Sequence, residues 1–278
     1  MANFDLSNFV IDRIVRGVAV SHDDNDKLGI KAGDILFSIN QIQNATLTAS
    51  SESTDAVDAL GVPVATFYRA KSAEFSAENA LFDINLMATQ SGTTKKLATA
   101  TNTIVTPCFE TIDLDGSENY ELSHTPREAI NPIYLLNGDG TTGTAYTAST
   151  AAGETAFAIS GKTITPPTSL KSGDQLFVLY EYEAGKAYDG GTTESGAVAV
   201  VNSAINYPVG CKFIMEVLGA DVCDQTNLIY AYIVFPNAKL SPDFDWNIAT
   251  DGAHPFSMRA MQQYCDKEKA LFTIIIPE

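Results

Sequence analysis

The stretch VATFYRAKSAEFSAENALFDINLMATQSG, residues 64–92, joins a strand pattern to a helix pattern. Up to Asn79, the odd positions that include Phe67 and Phe75 alternate with even positions that are mostly small or polar, and this alternation predicts a β-strand. The side-chain oxygen of Asn79 then offers a helix N-cap, and apolar residues recur at helical spacing until Gly92. One stripe of this helix is therefore expected to pack against the strands.

The residues before this stretch predict another strand and a loop. The segment DILFSINQIQNATLTA (34–49) alternates between two faces, which is typical of a strand with a bend or bulge. The next segment, SSESTDAVDALGVP (50–63), is small and acidic and ends near Gly61 and Pro63, so we predict an exposed loop. Residues 1–20 favour an amphipathic first helix, and a terminal arm that docks on a neighbouring subunit is the alternative.

The middle of the chain differs in composition from both ends. Threonine, glycine and serine are dense over residues 93–183, where short strand-like pieces alternate with turn signals at intervals of about 8–12 residues. We predict an inserted small Ig-like β-sandwich module at 110–184, followed by a Gly-rich linker. The module would interrupt a discontinuous barrel domain made of residues 1–109 and 185–278. A long elaboration of a single sandwich is the alternative.

The last third of the chain returns to apolar alternation. LIYAYIVFPNAKL (228–240) predicts a central strand, and KALFTIIIPE (269–278) predicts a final strand that is tied into a sheet. Between them, residues 244–260 predict a hairpin with His254 as a turn residue. The predicted fold class is mainly β, with a β-sandwich or barrel, one flanking α-helix and the inserted module.

Composition limits the partners of the protein. Apolar residues make up 45% of the 278 residues and charged residues 18%, which is enough apolar material for a core. The formal net charge is −17, and such a surface repels both nucleic acid and anionic membranes. The simpler interpretation is that the acidity only aids solubility. No secretory signal and no transmembrane segment is expected.

The sequence lacks the common catalytic motifs: there is no nucleophile elbow, P-loop, zinc-protease helix or dinucleotide fingerprint. The acidic segments HDDNDK (22–27) and DLDGSENYE (113–121) do not follow the ligand spacing of an EF-hand, so solvated turns are the simpler interpretation. We expect no enzyme activity, no cofactor and no metal site. A hydrolase with two carboxylates facing one cleft is an alternative that 34 acidic residues leave open.

The four cysteines show no metal-binding spacing. Cys108, Cys211, Cys223 and Cys265 include no C-x-x-C pair, and none lies beside a histidine in a zinc-like pattern. Free thiols in a reducing cytosol are the simplest interpretation. A disulfide between Cys211 and Cys223 is the alternative.

Two segments carry a resemblance to a known family. DALGVPVATFYRAKSAEFSAENALFDINLMA (58–88) and FPNAKLSPDFDWNIATDGAHPFSMRA (235–260) are similar to segments of the major tail tube proteins of tailed bacteriophages. The resemblance covers roughly residues 34–95 and 196–277, and residues 110–184 depart from it. The residues of the second segment that match the family pattern are Pro236, Ala238, Lys239, Leu240, Asp243, Phe244, Thr250, Asp251, Gly252, Phe256 and Ala260.

The resemblance implies a function in assembly. Members of the family form a β-barrel or sandwich with a flanking helix, and their copies form stacked hexameric rings around a lumen for DNA. The expected protein is a structural component of the phage tail, made in the cytoplasm of a host bacterium. Its expected partners are further copies of itself and other phage tail proteins, while DNA passes through without specific binding. A capsid or head-decoration protein is the alternative.

A conduit for DNA must not bind DNA, which suggests a position for some of the acids. Basic residues along the bore would neutralise phosphates, whereas acidic residues repel them within about 10 Å at 0.1 M salt. We therefore expect more acidic than basic residues on the innermost surface. Arg69, Lys71 and Arg259 are expected on a solvated strand face or in pairs with acids of a neighbouring subunit. The candidate lumen-facing acids are Glu52, Asp55, Asp58, Glu74 and Glu78.

Overall fold

The computed structural model describes residues 8–188, 193–222, 224–263 and 267–277. Cys223, Cys265 and part of the predicted linker therefore lie outside the described residues. The elements in chain order are β1 (Phe9–Ser21), β2 (Ile35–Ile39), β3 (Ile42–Val57), β4 (Pro63–Asn79), α1 (Ile84–Gln90), β5 (Lys96–Leu97), β6 (Ile104–Asp113), β7 (Tyr120–Glu121), β8 (Ile133–Leu136), β9 (Thr142–Ser149), β10 (Ala156–Ser160), β11 (Thr163–Thr165), β12 (Gln175–Ala184), β13 (Val198–Ala199), β14 (Gly210–Asp221), β15 (Asp224–Leu240), β16 (His254–Ala260) and β17 (Thr273–Ile275).

The chain divides into two compact units. Unit 1 comprises the residues up to Lys95 and those from Val200 onward, and unit 2 comprises Lys96–Ala199. The prediction placed the start of the inserted module at residue 110, which lies inside β6. Unit 2 begins earlier and ends later than that prediction, because the short strands β5 and β13 pair with each other at its two ends.

Unit 1 is a nearly closed, barrel-like sheet, which confirms the predicted mainly β fold class. Its strand order is β2-β1-β14-β15-β16-β4-β3, and β17 pairs with β15. The predicted first helix at residues 1–20 is wrong, since β1 pairs with β14 from Phe9 to Ser21. The strand predictions for β4, β15 and β17 agree with the structure.

An aromatic cluster fills the interior of unit 1. The centroid of the Phe213 ring lies 5.7 Å from the ring centroid of Phe75 and 6.2 Å from that of Phe37. Phe235 and Phe256 complete the cluster at 6.1 and 6.4 Å from Phe213. Because the five side chains come from β2, β4, β14, β15 and β16, they link five strands of the barrel-like sheet through its interior.

Helix α1 is shorter than predicted and begins at a different cap. The carboxylate of Asp83 accepts the N–H of Leu86 at 2.7 Å, which makes Asp83 the N-cap. Asn79, the predicted cap, is the buried last residue of β4 and pairs with His254. The helix terminates before Gly92, which adopts a φ of +63°. Leu86 is fully buried and joins the core of unit 1, as expected for one packed stripe.

The predicted hairpin at residues 244–260 is half wrong. Only β16 forms, between β4 and β15, and the residues from 241 to 253 contain no strand. His254 is not a turn residue: it is fully buried at the start of β16, and its Nε2 lies 2.8 Å from Oε1 of Gln90 on α1. Its ring also stacks at 5.4 Å on Phe82. Burial lowers the pKa of His254, so the neutral imidazole is favoured there.

Unit 2 has its own sheet and its own core. The strand order is β6-β12-β8-β9-β10-β11-β7, and the pair β9–β10 is parallel. Phe157, Leu176 and Val178 are fully buried at its centre. An Ig-like arrangement is not confirmed by this topology. Unit 2 is therefore a separate β unit inserted between the two segments of unit 1.

The same tight turn occurs once in each unit. The sequences KAGD (31–34) and KSGD (171–174) both place a glycine at positive φ, +92° at Gly33 and +96° at Gly173. In both turns the aspartate accepts the N–H of the lysine three residues earlier, at 2.7 Å. The first turn leads directly into β2 and the second into β12, so the same type of turn precedes a strand in both units.

Candidate assembly and channel surfaces

Strands β3 and β4 form a long hairpin of which only one end belongs to the core. Ala73, Phe75 and Ala77 of β4 are buried, whereas residues 63–71 of β4 and 48–57 of β3 are all exposed. The prediction of a loop at residues 50–63 is therefore wrong, because the backbone hydrogen bonds of the hairpin continue to Val57.

The turn of this hairpin is held by one aspartate. The side chain of Asp58 accepts the N–H groups of Leu60 and Val62 at 2.8 and 2.9 Å. Its backbone N–H donates to the carbonyl of Val62 at 2.9 Å, and Gly61 supplies a φ of +82°. These bonds order a turn that makes no contact with the core, so the hairpin is stiff up to its end.

The outer part of the hairpin exposes an apolar tip, defined here as residues 57–64. Leu60 is 88% exposed and Val64 is 70% exposed, and Val57 and Val62 are each more than half exposed. Exposed apolar residues are ordinary when they are scattered, but a contiguous set is typical of a contact surface.

The five candidate lumen-facing acids do not lie on one surface. Cross-strand partners share a face, and successive residues of a strand alternate between faces. Glu74 and Glu78 therefore lie on the face of β4 opposite the buried Phe75, and Glu52 lies on the same face of the hairpin. Asp55 lies on the other face, where its carboxylate accepts the hydroxyl of Thr66 at 2.7 Å. Asp58 belongs to the turn.

The face that carries these three glutamates, hereafter the glutamate face, also carries arginines. Glu52 lies directly opposite Arg69, and Glu74 lies opposite Arg259 with 3.9 Å between Oε1 and Nε. Both side chains of the second pair are well exposed, so it stabilises the fold by at most about 1 kcal/mol. Lys239 lies opposite Arg259 on β15. Arg259 thus lies within ion-pair distance of an acid of its own chain, and Arg69 lies opposite one in the strand register.

Unit 2 contains a part-buried, hydrogen-bonded pair of His124 and Glu194 that could not be predicted from the sequence. Nδ1 of His124 lies 2.7 Å from Oε2 of Glu194, and the N–H of Thr125 donates to Oε1 at 2.8 Å. Burial raises the pKa of Glu194, but these hydrogen bonds outweigh it and the pKa lies below its usual value. Tyr182 stacks on the histidine ring at 3.8 Å. His124 and Glu194 are 70 residues apart, so no local sequence pattern could predict their contact. The contact holds the last residues of unit 2 against the rest of that unit.

The thiols and acids that the structure describes form no further site. Cys108 and Cys211 are free, and burial raises the pKa of Cys211 to about 12, so its thiol is inert. Within the described residues, no three His, Cys, Asp or Glu side chains come together as metal ligands. No helix in the described part of the chain is long and apolar enough to cross a membrane.

Unit 1 thus combines a barrel-like sheet, an exposed hairpin with an apolar tip and a polar sheet face. The chain belongs to the YomU/Tube protein family, whose model matches residues 29–275. This match fits a phage tail tube protein, which confirms the resemblance found in the sequence. The family implies a virion protein that oligomerises and assembles with other tail proteins, and such structural families are typically non-enzymatic. No curated protein matches the chain.

Proposed function

We propose that copies of this protein form stacked hexameric rings that build the phage tail tube, a conduit for DNA ejection. The family match over residues 29–275 carries this proposal, because it includes every strand of the unit 1 barrel except β1. Rings close when one heterologous contact repeats until the rotation returns to its start. Negative-stain microscopy of the purified protein tests the proposal. Tubes support it, whereas shells or decorated shells would favour a capsid or head-decoration protein instead.

The glutamate face is the part of unit 1 that we propose for the channel lining. Its side chains are mainly Ser, Thr and Glu, together with Lys239 and two arginines that lie opposite Glu52 and Glu74. An acid beside a basic side chain lowers the attraction of that side chain for phosphate. The lining that results is polar and closer to charge balance than the sequence suggested, with Glu78 beside the amide of Asn44 at 2.7 Å.

A helical reconstruction of the tube tests this lining directly. We expect Glu52, Glu74 and Glu78 on the surface nearest the tube axis. The double substitution Glu74→Lys and Glu78→Lys should make tubes retain short DNA duplexes, with a retention that falls steeply as salt rises. The control reverses two exposed acids of unit 2, Glu118 and Glu154, by the same change. Equal DNA retention by the control tubes would contradict the assignment.

We further propose that unit 2 is dispensable for assembly. Lys96 lies directly opposite Ala199 in the β5–β13 pair, and Cα atoms of such pairs are about 4.5–5.5 Å apart. The chain therefore leaves unit 1 and returns to it at nearly the same point, which is where insertions are tolerated.

Removal of residues 96–199 tests this second proposal. With a short Gly/Ser linker in their place, we expect soluble protein that still forms tubes. Fluorescence of Trp246, the single tryptophan, reports whether unit 1 is folded, because its ring stacks at 4.6 Å on Phe82. Folded protein without tubes would show that assembly needs unit 2, and loss of the folded signal would show that the two units are interdependent.

A further inference from the structure

One segment of unit 1 is held in place by aromatic side chains rather than by backbone pairing. Residues 241–253, hereafter the cover segment, connect β15 to β16 and contain no strand. Within the part of the chain that the structure describes, residues 242–253 form hydrogen bonds only with residues of the cover segment itself. Trp246 of this segment stacks on Phe82, with 4.6 Å between the ring centroids. Ring contacts of this kind therefore decide whether the segment stays on unit 1.

The imidazole of His254 lies at the centre of these contacts. Its ring centroid is 5.4 Å from that of Phe82, which precedes α1. On the other side it lies 5.9 Å from the ring of Trp246 and 6.2 Å from that of Phe244, both in the cover segment. His254 is fully buried. The imidazole thus joins the cover segment to the residues beside α1.

The hydrogen bonds around His254 suit its neutral form. The amide nitrogen of Gln90 donates to the carbonyl of Pro255 at 3.1 Å, so the amide oxygen of Gln90 faces the imidazole. This oxygen accepts the proton of Nε2 of His254 at 2.8 Å. Nδ1 is buried and has no hydrogen-bond partner among the residues that the structure describes. A second proton, which would reside on Nδ1, therefore places a positive charge in a buried position without an acceptor.

Burial and the surrounding charges act on His254 in opposite directions. Burial lowers the pKa of its imidazole, and the carboxylate of Asp83 opposes this shift without cancelling it. Because the pKa is lowered only while the ring is buried, the closed arrangement is fully stable above about pH 6.5 and loses stability as the pH falls below it. The cover segment contains no basic residue. The other titratable residues of the elements packed against the ring are Glu78, Asp243, Asp245 and Asp251.

We propose that His254 is a pH-sensitive latch, which holds the cover segment closed while its imidazole is neutral and releases the segment when Nδ1 is protonated. Histidine suits this task because its ordinary pKa lies in the range where other side chains keep their charge. Strand β16 stays in place, since it pairs with β4 on one side and β15 on the other. Opening uncovers Phe82 next to Leu81, which is already 61% exposed, so acid increases the apolar surface beside α1. This inference is independent of the proposed tube.

Acrylamide quenching of the purified full-length protein tests the latch, because the single tryptophan, Trp246, belongs to the cover segment. From about pH 7.5 to about pH 5, we expect the quenching constant to rise reversibly by at least about twofold, with a midpoint below about 6.5. Far-UV circular dichroism should stay unchanged, which separates release of the segment from unfolding of the barrel. A quenching constant of the wild type that is the same at both ends of this range would overturn the latch.

His254→Phe shows whether the imidazole is the group that responds. The variant keeps an aromatic ring against Phe82 and Trp246 but takes up no proton, so Trp246 should stay covered at both pH values. His22→Gln, at an exposed histidine of unit 1, is the matched control and should keep the full rise.

Two outcomes for His254→Phe would overturn the latch. A rise equal to that of the wild type would show that carboxylates drive the opening, and a Trp246 that is accessible at both pH values would show that ring contacts do not hold the segment. If circular dichroism shows that this variant is unfolded, His254→Gln, which keeps a donor for Gln90, takes its place. A pH-dependent rise that persists in folded His254→Gln would overturn the latch, and its loss would support it.

Discussion

Gly92→Ala should destabilise unit 1 by more than about 3 kcal/mol or prevent its folding, because two costs add. A left-handed backbone costs a non-glycine residue roughly 1–2 kcal/mol, and Gly92 has a φ of +63°. An added Cβ would also lie 2.4 Å from the carbonyl carbon and oxygen of Tyr207. These are backbone atoms, so the clash is relieved only if the backbone at Gly92 or at Tyr207 moves.

The measurement is denaturant unfolding followed by Trp246 fluorescence, which reports on unit 1. Gly29→Ala is the matched control, since Gly29 lies in unit 1 with a φ of +66° but has no heavy atom within 4 Å of the added Cβ. We expect the control to lose only the roughly 1–2 kcal/mol that a left-handed backbone costs. A Gly92→Ala protein with the unfolding midpoint of the wild type would refute the argument from close contact.

Phe213→Ala should cost unit 1 about 3–5 kcal/mol. The side chain is fully buried and its ring contacts four other phenylalanines of the core. Its removal leaves a cavity that those rings cannot fill without leaving their own rotamers. The midpoint of unfolding, measured again by Trp246 fluorescence, should fall accordingly.

The control for this substitution is an exposed phenylalanine of the same unit. Phe67 stands on strand β4 and is 54% exposed. Phe67→Ala should shift the Trp246 transition by no more than about 0.5 kcal/mol. If both substitutions lowered that transition equally, the aromatic cluster would not be the main source of stability of unit 1.

Strands with one buried face could be predicted from the sequence. In β4, Ala73, Phe75 and Ala77 alternate with Glu74 and other polar residues, and the structure buries the first set and exposes the second. A period of two residues arises only when one face meets a core.

Elements that depend on distant partners could not be predicted in the same way. Strand β1 pairs with β14, which lies about two hundred residues later, and its apolar residues were compatible with a helix. The outer half of β3 buries nothing, so residues 48–57 show no alternation and resembled a loop. Backbone hydrogen bonds to β4 hold the outer half of β3 in place. Backbone hydrogen bonds do not depend on side-chain composition, so the sequence pattern does not indicate them.

The candidate channel surface illustrates the same limit at the level of single residues. The acids were predicted as a group, but the face on which each one lies depends on strand register. A bulge at Ala70, which has a φ of +47°, shifts the pairing so that Glu52 meets Arg69. Neither the bulge nor the arginine partner is visible without the register.

The pairing of β5 with β13 also bears on the order in which the chain folds. Unit 1 must bring together segments separated by the whole of residues 96–199. Closing an unstructured loop of about a hundred residues costs about 4 kcal/mol in chain entropy, apart from a constant. If unit 2 folds first, Lys96 and Ala199 are already adjacent, and this entropy has been lost before the barrel begins to form. The inserted unit then acts as an internal clamp that shortens the effective distance between α1 and β14, and barrel formation depends less on a slow long-range search.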